Sequence, residues 1–150
     1  MSRYLIDTDV ISMLSPSKVV DSAAVLDWLE QKDGEDALFL SVVTIHELRK
    51  GIVLLEHRGA TAKAAHLMTW ADGLLAAYDD RILKVDAATA AIAGRLEAKA
   101  LCAGHDPGMA DALIAGTAVM HDLVILTRNA RHFLPFGVPV STPAEAAKRP

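Results

Sequence analysis

Apolar residues arrive along this chain in two rhythms. Short runs that are wholly or nearly all apolar occupy Tyr4-Leu5-Ile6, residues 37–43, residues 82–85 and residues 123–126. Each is bounded by polar or turn-forming residues, as in strands covered on both faces. Between them lie stretches with helical spacing. Residues 20–31 place Ala24, Val25, Leu26, Trp28 and Leu29 on an inner side. Thr44 opens a helix that runs to about His57, closed by Arg58-Gly59. Residues 61–78 repeat as Leu67, Trp70/Ala71, Leu74/Leu75 and Tyr78. Asp86 caps a helix over 87–103, and residues 109–120 form one that is apolar almost all round. A short helix over 10–14, stopped by Ser15-Pro16-Ser17, a turn at Asp33-Gly34, a turn-rich loop over 104–108, a turn of helix carrying Phe133 and a last strand over 138–140 complete the pattern.

Strands alternate with helices, and no hairpin signal such as Asn-Gly occurs. The expected fold class is α/β: a mainly parallel central sheet of four to five strands flanked by helices, in three layers. Residues 1–143 are expected to be a single domain and residues 144–150 a frayed tail.

Composition narrows the function classes. At 52% hydrophobic residues and a mean hydropathy of +0.27 the chain can bury a sizeable core. No apolar run reaches the roughly 18 residues a membrane span needs, and no signal peptide is read at the start. The single cysteine, Cys102, excludes an internal disulfide and a cysteine-rich zinc site, and is expected to be a small buried residue on its helix. These points suggest a cytoplasmic protein. The formal charge of −4 and pI of about 5.8 leave no broad basic footprint, so any nucleic-acid contact must be local or helped by a cation.

The chemistry lies where strands end. Asp7 follows the first strand at its carboxyl end, the edge at which open α/β sheets bind ligands. Asp9, two residues on, suits the positive end of the next helix. Glu47 completes a Thr44-x-x-Glu47 capping box, but it also lies within a turn of a buried strand, as Asp7 does. Asp111 is the one ionisable residue in residues 109–120. A carboxylate buried on an apolar helix is costly unless it is paired or binds a metal. The helix dipole offers only ~0.3–1 kcal/mol against that cost. Three acids from three segments at one sheet edge suggest one pocket. Oxygen-only ligands point to Mg2+ or Mn2+ rather than zinc, and such clusters commonly hydrolyse phosphodiesters.

The chain resembles PIN-domain ribonucleases, specifically the toxins of VapBC-type toxin–antitoxin pairs. The resemblance rests on four pieces in order: residues 5–12 (LIDTDVIS), 41–52 (SVVTIHELRKGI), 110–118 (ADALIAGTA) and 126–133 (LTRNARHF), followed by Gly137-Val138. It implies that Asp7, Glu47 and Asp111 hold Mg2+ or Mn2+ and cleave RNA, that the chain forms a homodimer, and that a VapB-type antitoxin wraps it, often placing an arginine in the acidic pocket. Many family members carry a further acid after the fourth strand, where this chain has Asn129 and His132. Asp9 and Asn129 are accordingly candidate additional metal contacts. Thr127 could donate its hydroxyl to a carboxylate. Thr127, Arg128 and Arg131 are candidate substrate contacts at the edge of the site. Arg49 and Lys50 suit a solvated helix face, and His46 a structural role. Two other readings compete. Asp7-x-Asp9 also suits a haloacid-dehalogenase-type phosphatase, which would need a downstream lysine and paired acids after a later strand. A PIN-like binding module without catalysis would keep the fold alone.

Overall fold

The computed structural model describes residues 2–16 and 22–148. Five strands form one parallel sheet: β1 (Tyr4–Ile6), β2 (Leu38–Ser41), β3 (Ile82–Leu83), β4 (Val124–Leu126) and β5 (Val140–Ser141). Their order is β3-β2-β1-β4-β5. Tyr4 and Leu5 lie opposite Leu38 and Phe39 on one side and opposite Val124 and Ile125 on the other. The chain builds outward from β1 to β3, then returns to add β4 and β5 on the other flank. The crevice between β1 and β4 is therefore a topological switch point, where α/β sheets place their ligands.

The helices are α1 (Thr8–Ile11), α2 (Ala23–Gly34), α3 (Val42–His57), α4 (Thr61–Ala77), α5 (Ala87–Cys102), α6 (Met109–His121) and α7 (Pro143–Ala147), with 3-10 turns at Ser12–Leu14, Asp79–Arg81, Ala130–His132 and Leu134–Phe136. Successive strand residues point to opposite faces, and the core divides accordingly. Ile6, Leu38, Leu40 and Leu126 pack with Val10, Ile11, Trp28, Leu29, Leu48 and Leu74. Leu5 and Ile125 pack on the other face with Ala93, Ala112, Ile114, Ala115, Ala118 and Phe133. The first face is covered chiefly from α1 to α4, the second by α5 and α6. Phe133 is wholly buried and lies between two 3-10 turns.

Several boundaries differ from the sequence reading, each for a local reason. The second strand ends at Ser41, whose hydroxyl accepts from the Val43 amide at 3.0 Å and caps α3, so Val42 and Val43 are helical. Thr44 then lies inside the helix, fully buried, and the expected capping box with Glu47 does not form. Asp33-Gly34 is still helical, and the turn falls two residues later, at Glu35-Asp36, with Asp36 at φ +55°. Ala24 is exposed rather than buried, while the expected start at residue 20, like Ser17, lies outside the described residues. Residues 144–147, expected to fray, belong to α7: the Thr142 hydroxyl accepts from the Glu145 amide, Pro143 opens the first turn, and Ala146 is buried. Cys102 is exposed at the end of α5. Among the described residues no helix is long and apolar enough to cross a membrane.

Candidate active site

The first turn after β1 sets the geometry. Asp7 has extended backbone (φ −72°, ψ 160°), and its side chain caps α1 by accepting from the Thr8 amide at 2.9 Å. Asp9 lies in the first turn of α1, at the positive end expected for it, and the cap is Asp7. The other Asp7 oxygen accepts from the Thr127 hydroxyl, just past β4, at 3.0 Å. Thr127 is fully buried, and its oxygen also accepts from the Asn129 amide at 3.1 Å. Its expected bond to a carboxylate is present, and it ties the ends of the two central strands together.

Asp9, one turn along, reaches the loop after β4. Its Oδ2 accepts from the Arg128 backbone amide at 3.0 Å and from Asn129 Nδ2 at 3.2 Å. Asn129 therefore turns its amide nitrogen, not its oxygen, towards the acids. Glu47 is brought in by Thr8, whose hydroxyl donates to Glu47 Oε1 at 2.7 Å. Thr8 thus serves two acids, Asp7 with its amide and Glu47 with its hydroxyl. Nothing in the sequence singled out Thr8, although a hydroxyl directly after a strand-end aspartate is the available signal. Asp111 stands in the first turn of α6, half-buried rather than enclosed, because Met109 and Ala110 beside it are exposed.

The electrostatics record the convergence. Burial pushes the Asp7 carboxyl up to about 6, with the Asp9 charge next in importance and Asp111 adding to it, against the opposing hydrogen bonds from Thr8 and Thr127. Burial also raises Asp9, opposed by its bond from the Arg128 amide. Asp111 is raised by burial, held back by His132, and raised further by Glu47 and Asp9. Asp7, Asp9, Glu47 and Asp111 thus share one electrostatic neighbourhood.

Among the described residues no three acidic, histidine or cysteine side chains are drawn together tightly enough to cage a metal ion. Asp7, Asp9 and Glu47 are each engaged by a protein donor instead. The donor set nevertheless fits Mg2+, which takes one or two carboxylates and keeps several waters rather than filling an all-protein cage.

The remaining candidates separate. Arg49 bonds Asp72 and Met68, fastening α3 to α4. Lys50 and His46 are exposed. Arg128 joins the site through its backbone, and its charge also acts on Asp9. Arg131 and His132 flank Asp111 together with His105. Beside Glu47 a cleft of about 330 Å³ runs along Leu48, Ile52, Leu55 and Trp70.

Comparison with known proteins gives the same picture. The PIN domain family model matches residues 4–134. The chain belongs to the PIN-domain family. Among its PIN-domain relatives is Toxin FitB of Neisseria gonorrhoeae, 34% identical over 139 residues, covering 93% of this chain and 96% of that protein. VapC ribonuclease Y4jK of Sinorhizobium fredii is 33% identical over 144 residues, covering 95% and 99%. The crystal structure of FitAcB from Neisseria gonorrhoeae superposes with a TM-score of 0.71 at 30% identity, covering 94% of this chain and 98% of that one. PIN membership removes the phosphatase reading, and the residues agree: β4 is followed by Thr127-Arg128-Asn129 and not by paired acids.

Proposed function

We propose that this chain is a Mg2+- or Mn2+-dependent endoribonuclease acting as the toxin of a toxin–antitoxin pair. The observation that carries this reading is the gathering of Asp7, Asp9, Glu47 and Asp111 at the β1/β4 crevice of a PIN fold. The names of two relatives, a toxin and a ribonuclease, support it. Asp7, Glu47 and Asp111 would hold the ion, with Asp9 beside them. Bound there, a divalent ion makes water more acidic and offsets charge that develops on the phosphate oxygens. The chain's own residues fix the acids: Thr127 and Thr8 hold Asp7, Thr8 holds Glu47, and the Arg128 amide with Asn129 holds Asp9. Arg128 and Arg131 at the rim would meet the RNA backbone.

Two partners belong to this reading. An antitoxin of the VapB type would neutralise the acidic pocket with an arginine, in competition with the metal. A second copy of the chain would cover exposed apolar side chains on α3, where Val42, Val53 and Leu54 are 39%, 53% and 45% exposed.

The test is cleavage of labelled single-stranded RNA with Mg2+, with Mn2+ and with EDTA. Cleavage is expected only with the metals, and Asp7→Asn, Glu47→Gln and Asp111→Asn should each lower the rate by about a hundredfold or more, because groups of one site act as a unit. Undiminished cleavage in EDTA, or by all three variants, contradicts the reading. Specific RNA binding without cleavage under any condition would leave a PIN-fold binding module.

A further inference from the structure

A second cavity, of about 370 Å³, opens against Asp111. Its volume lies within the roughly 300–1,000 Å³ of ligand pockets. Two loops build it at the carboxyl edge of the sheet. The loop between α5 and α6 supplies His105, Asp106 and Pro107, and the 3-10 turn after β4 supplies Arg131 and His132. Gly108, at φ +85°, turns the first loop sharply into α6, and so places His105 beside the first turn that carries Asp111.

The side chains here are not spent on the fold. His105, Asp106, Arg131 and His132 are all exposed. Among the described residues none of them makes an ion pair or a side-chain hydrogen bond. Arg131 and His132 are nevertheless held from beneath. Asn129, which begins the 3-10 turn, is bonded to Thr127 and Asp9, and Phe133, which ends it, is wholly buried.

We infer that this cavity binds one unstacked nucleotide of single-stranded RNA, next to the phosphate that is cut. Imidazole rings and a guanidinium plane are surfaces on which an unstacked base lies. The same guanidinium can bond a phosphate through two N–H groups. The rigid ring of Pro107 gives the cavity an apolar wall, and the Asp106 carboxylate offers an acceptor for a base's exocyclic amine. Asp111 forms a wall of this cavity and also belongs to the acid cluster, so a nucleotide seated here directly adjoins the reacting phosphate. In a chain of net charge −4, binding of RNA has to rest on such a local set of contacts.

This inference rests on the ribonuclease reading, and its test keeps the two apart. Steady-state cleavage of a labelled single-stranded RNA is measured for wild type, His105→Ala, Arg131→Ala and His132→Ala. Arg58→Ala, which removes an exposed charge at the end of α3, an element that does not line the cavity, is the control. The first three should raise KM about fivefold or more with kcat within about twofold, a loss of the size that base stacking gives. For Arg131→Ala the dependence of log(1/KM) on log salt should also flatten by about 0.7, the loss of one phosphate contact to a single strand. An abasic residue placed in turn on each side of the cut should raise KM for wild type on one side only, and add nothing further in His132→Ala. Wild type that cleaves RNA while the three variants match Arg58→Ala overturns the nucleotide site and leaves the ribonuclease reading standing. Wild type that neither binds nor cleaves RNA overturns both.

Discussion

Asp7 does three things at once. It caps α1, it accepts a hydrogen bond from the Thr127 hydroxyl, and it is one of four acids at the β1/β4 crevice. The first two favour its ionised form, yet burial and the neighbouring acids outweigh them and lift the carboxyl to about 6. The sign for stability follows by linkage. Between the ordinary value of 3.8 and about 6 the folded chain holds a proton that the unfolded chain has lost. Stability from this group is complete below about pH 3.8 and is lost as pH rises through 6. At ~1.4 kcal/mol per unit the loss approaches about 3 kcal/mol. Asp7→Asn removes the charge and keeps an oxygen that can cap the helix. In the absence of divalent metal it should stabilise the protein by about 1–3 kcal/mol at pH 7.5 and change little at pH 4. Denaturant titrations at the two pH values check this. A destabilised variant at pH 7.5 would mean that Asp7 is first of all a cap, and that the nearby charges are of little consequence.

At the scale of elements, α5 and α6 press close together at Gly116. A Cβ there would lie 2.9 Å from the Ala93 Cβ and 3.0 Å from the Thr89 carbonyl oxygen, so the helices would have to separate. Gly116→Ala is therefore expected to cost about 1–3 kcal/mol. Gly94, on the exposed side of α5, has nothing within 4 Å of an added Cβ. Gly94→Ala should stabilise by about 0.4–1 kcal/mol, through the unfolded chain. The pair of denaturation midpoints, one lower and one higher than wild type, distinguishes close packing from a general glycine effect. The contrast also marks what the sequence could show. Strands β1 and β4 were readable because they are buried on both faces and leave no polar interruption. Helix α3 was placed two residues late because Val42 and Val43 prolong the apolar run of β2, and only the Ser41 cap divides them. The apolar composition of α6 suggested burial all round, yet Met109, Val119 and Met120 are 69%, 45% and 37% exposed, since composition does not say which side meets solvent. Thr142-Pro143 is a helix-start pattern, and it begins α7 where the charged composition of the tail suggests fraying. Asp7, Glu47 and Asp111 stood out because each is an acid next to apolar sequence at a strand end or helix start. Thr8, His105 and His132 did not, because their roles arise from residues distant in the chain.

At the scale of the molecule, the parallel sheet brings acids from residues 7–9, 47 and 111 to one edge and fills that edge with negative charge. The central claim is that these carboxylates form one divalent-ion site, on which the proposed RNA cleavage depends. If so, a divalent ion binds the folded chain and not the unfolded one, and it must raise the melting midpoint. The gain is about 2.7 kcal/mol at a hundredfold excess over the dissociation constant. For a chain of this size each kcal/mol moves the midpoint by roughly 2–4 °C. The measurement is the melting midpoint of wild type and Asp111→Asn, in EDTA and at saturating Mn2+. The account predicts a rise of roughly 5–11 °C for wild type. It predicts a markedly smaller rise for Asp111→Asn, which should start from a higher midpoint in EDTA because a partly buried charge has been removed. A wild-type midpoint that Mn2+ leaves unchanged would contradict it.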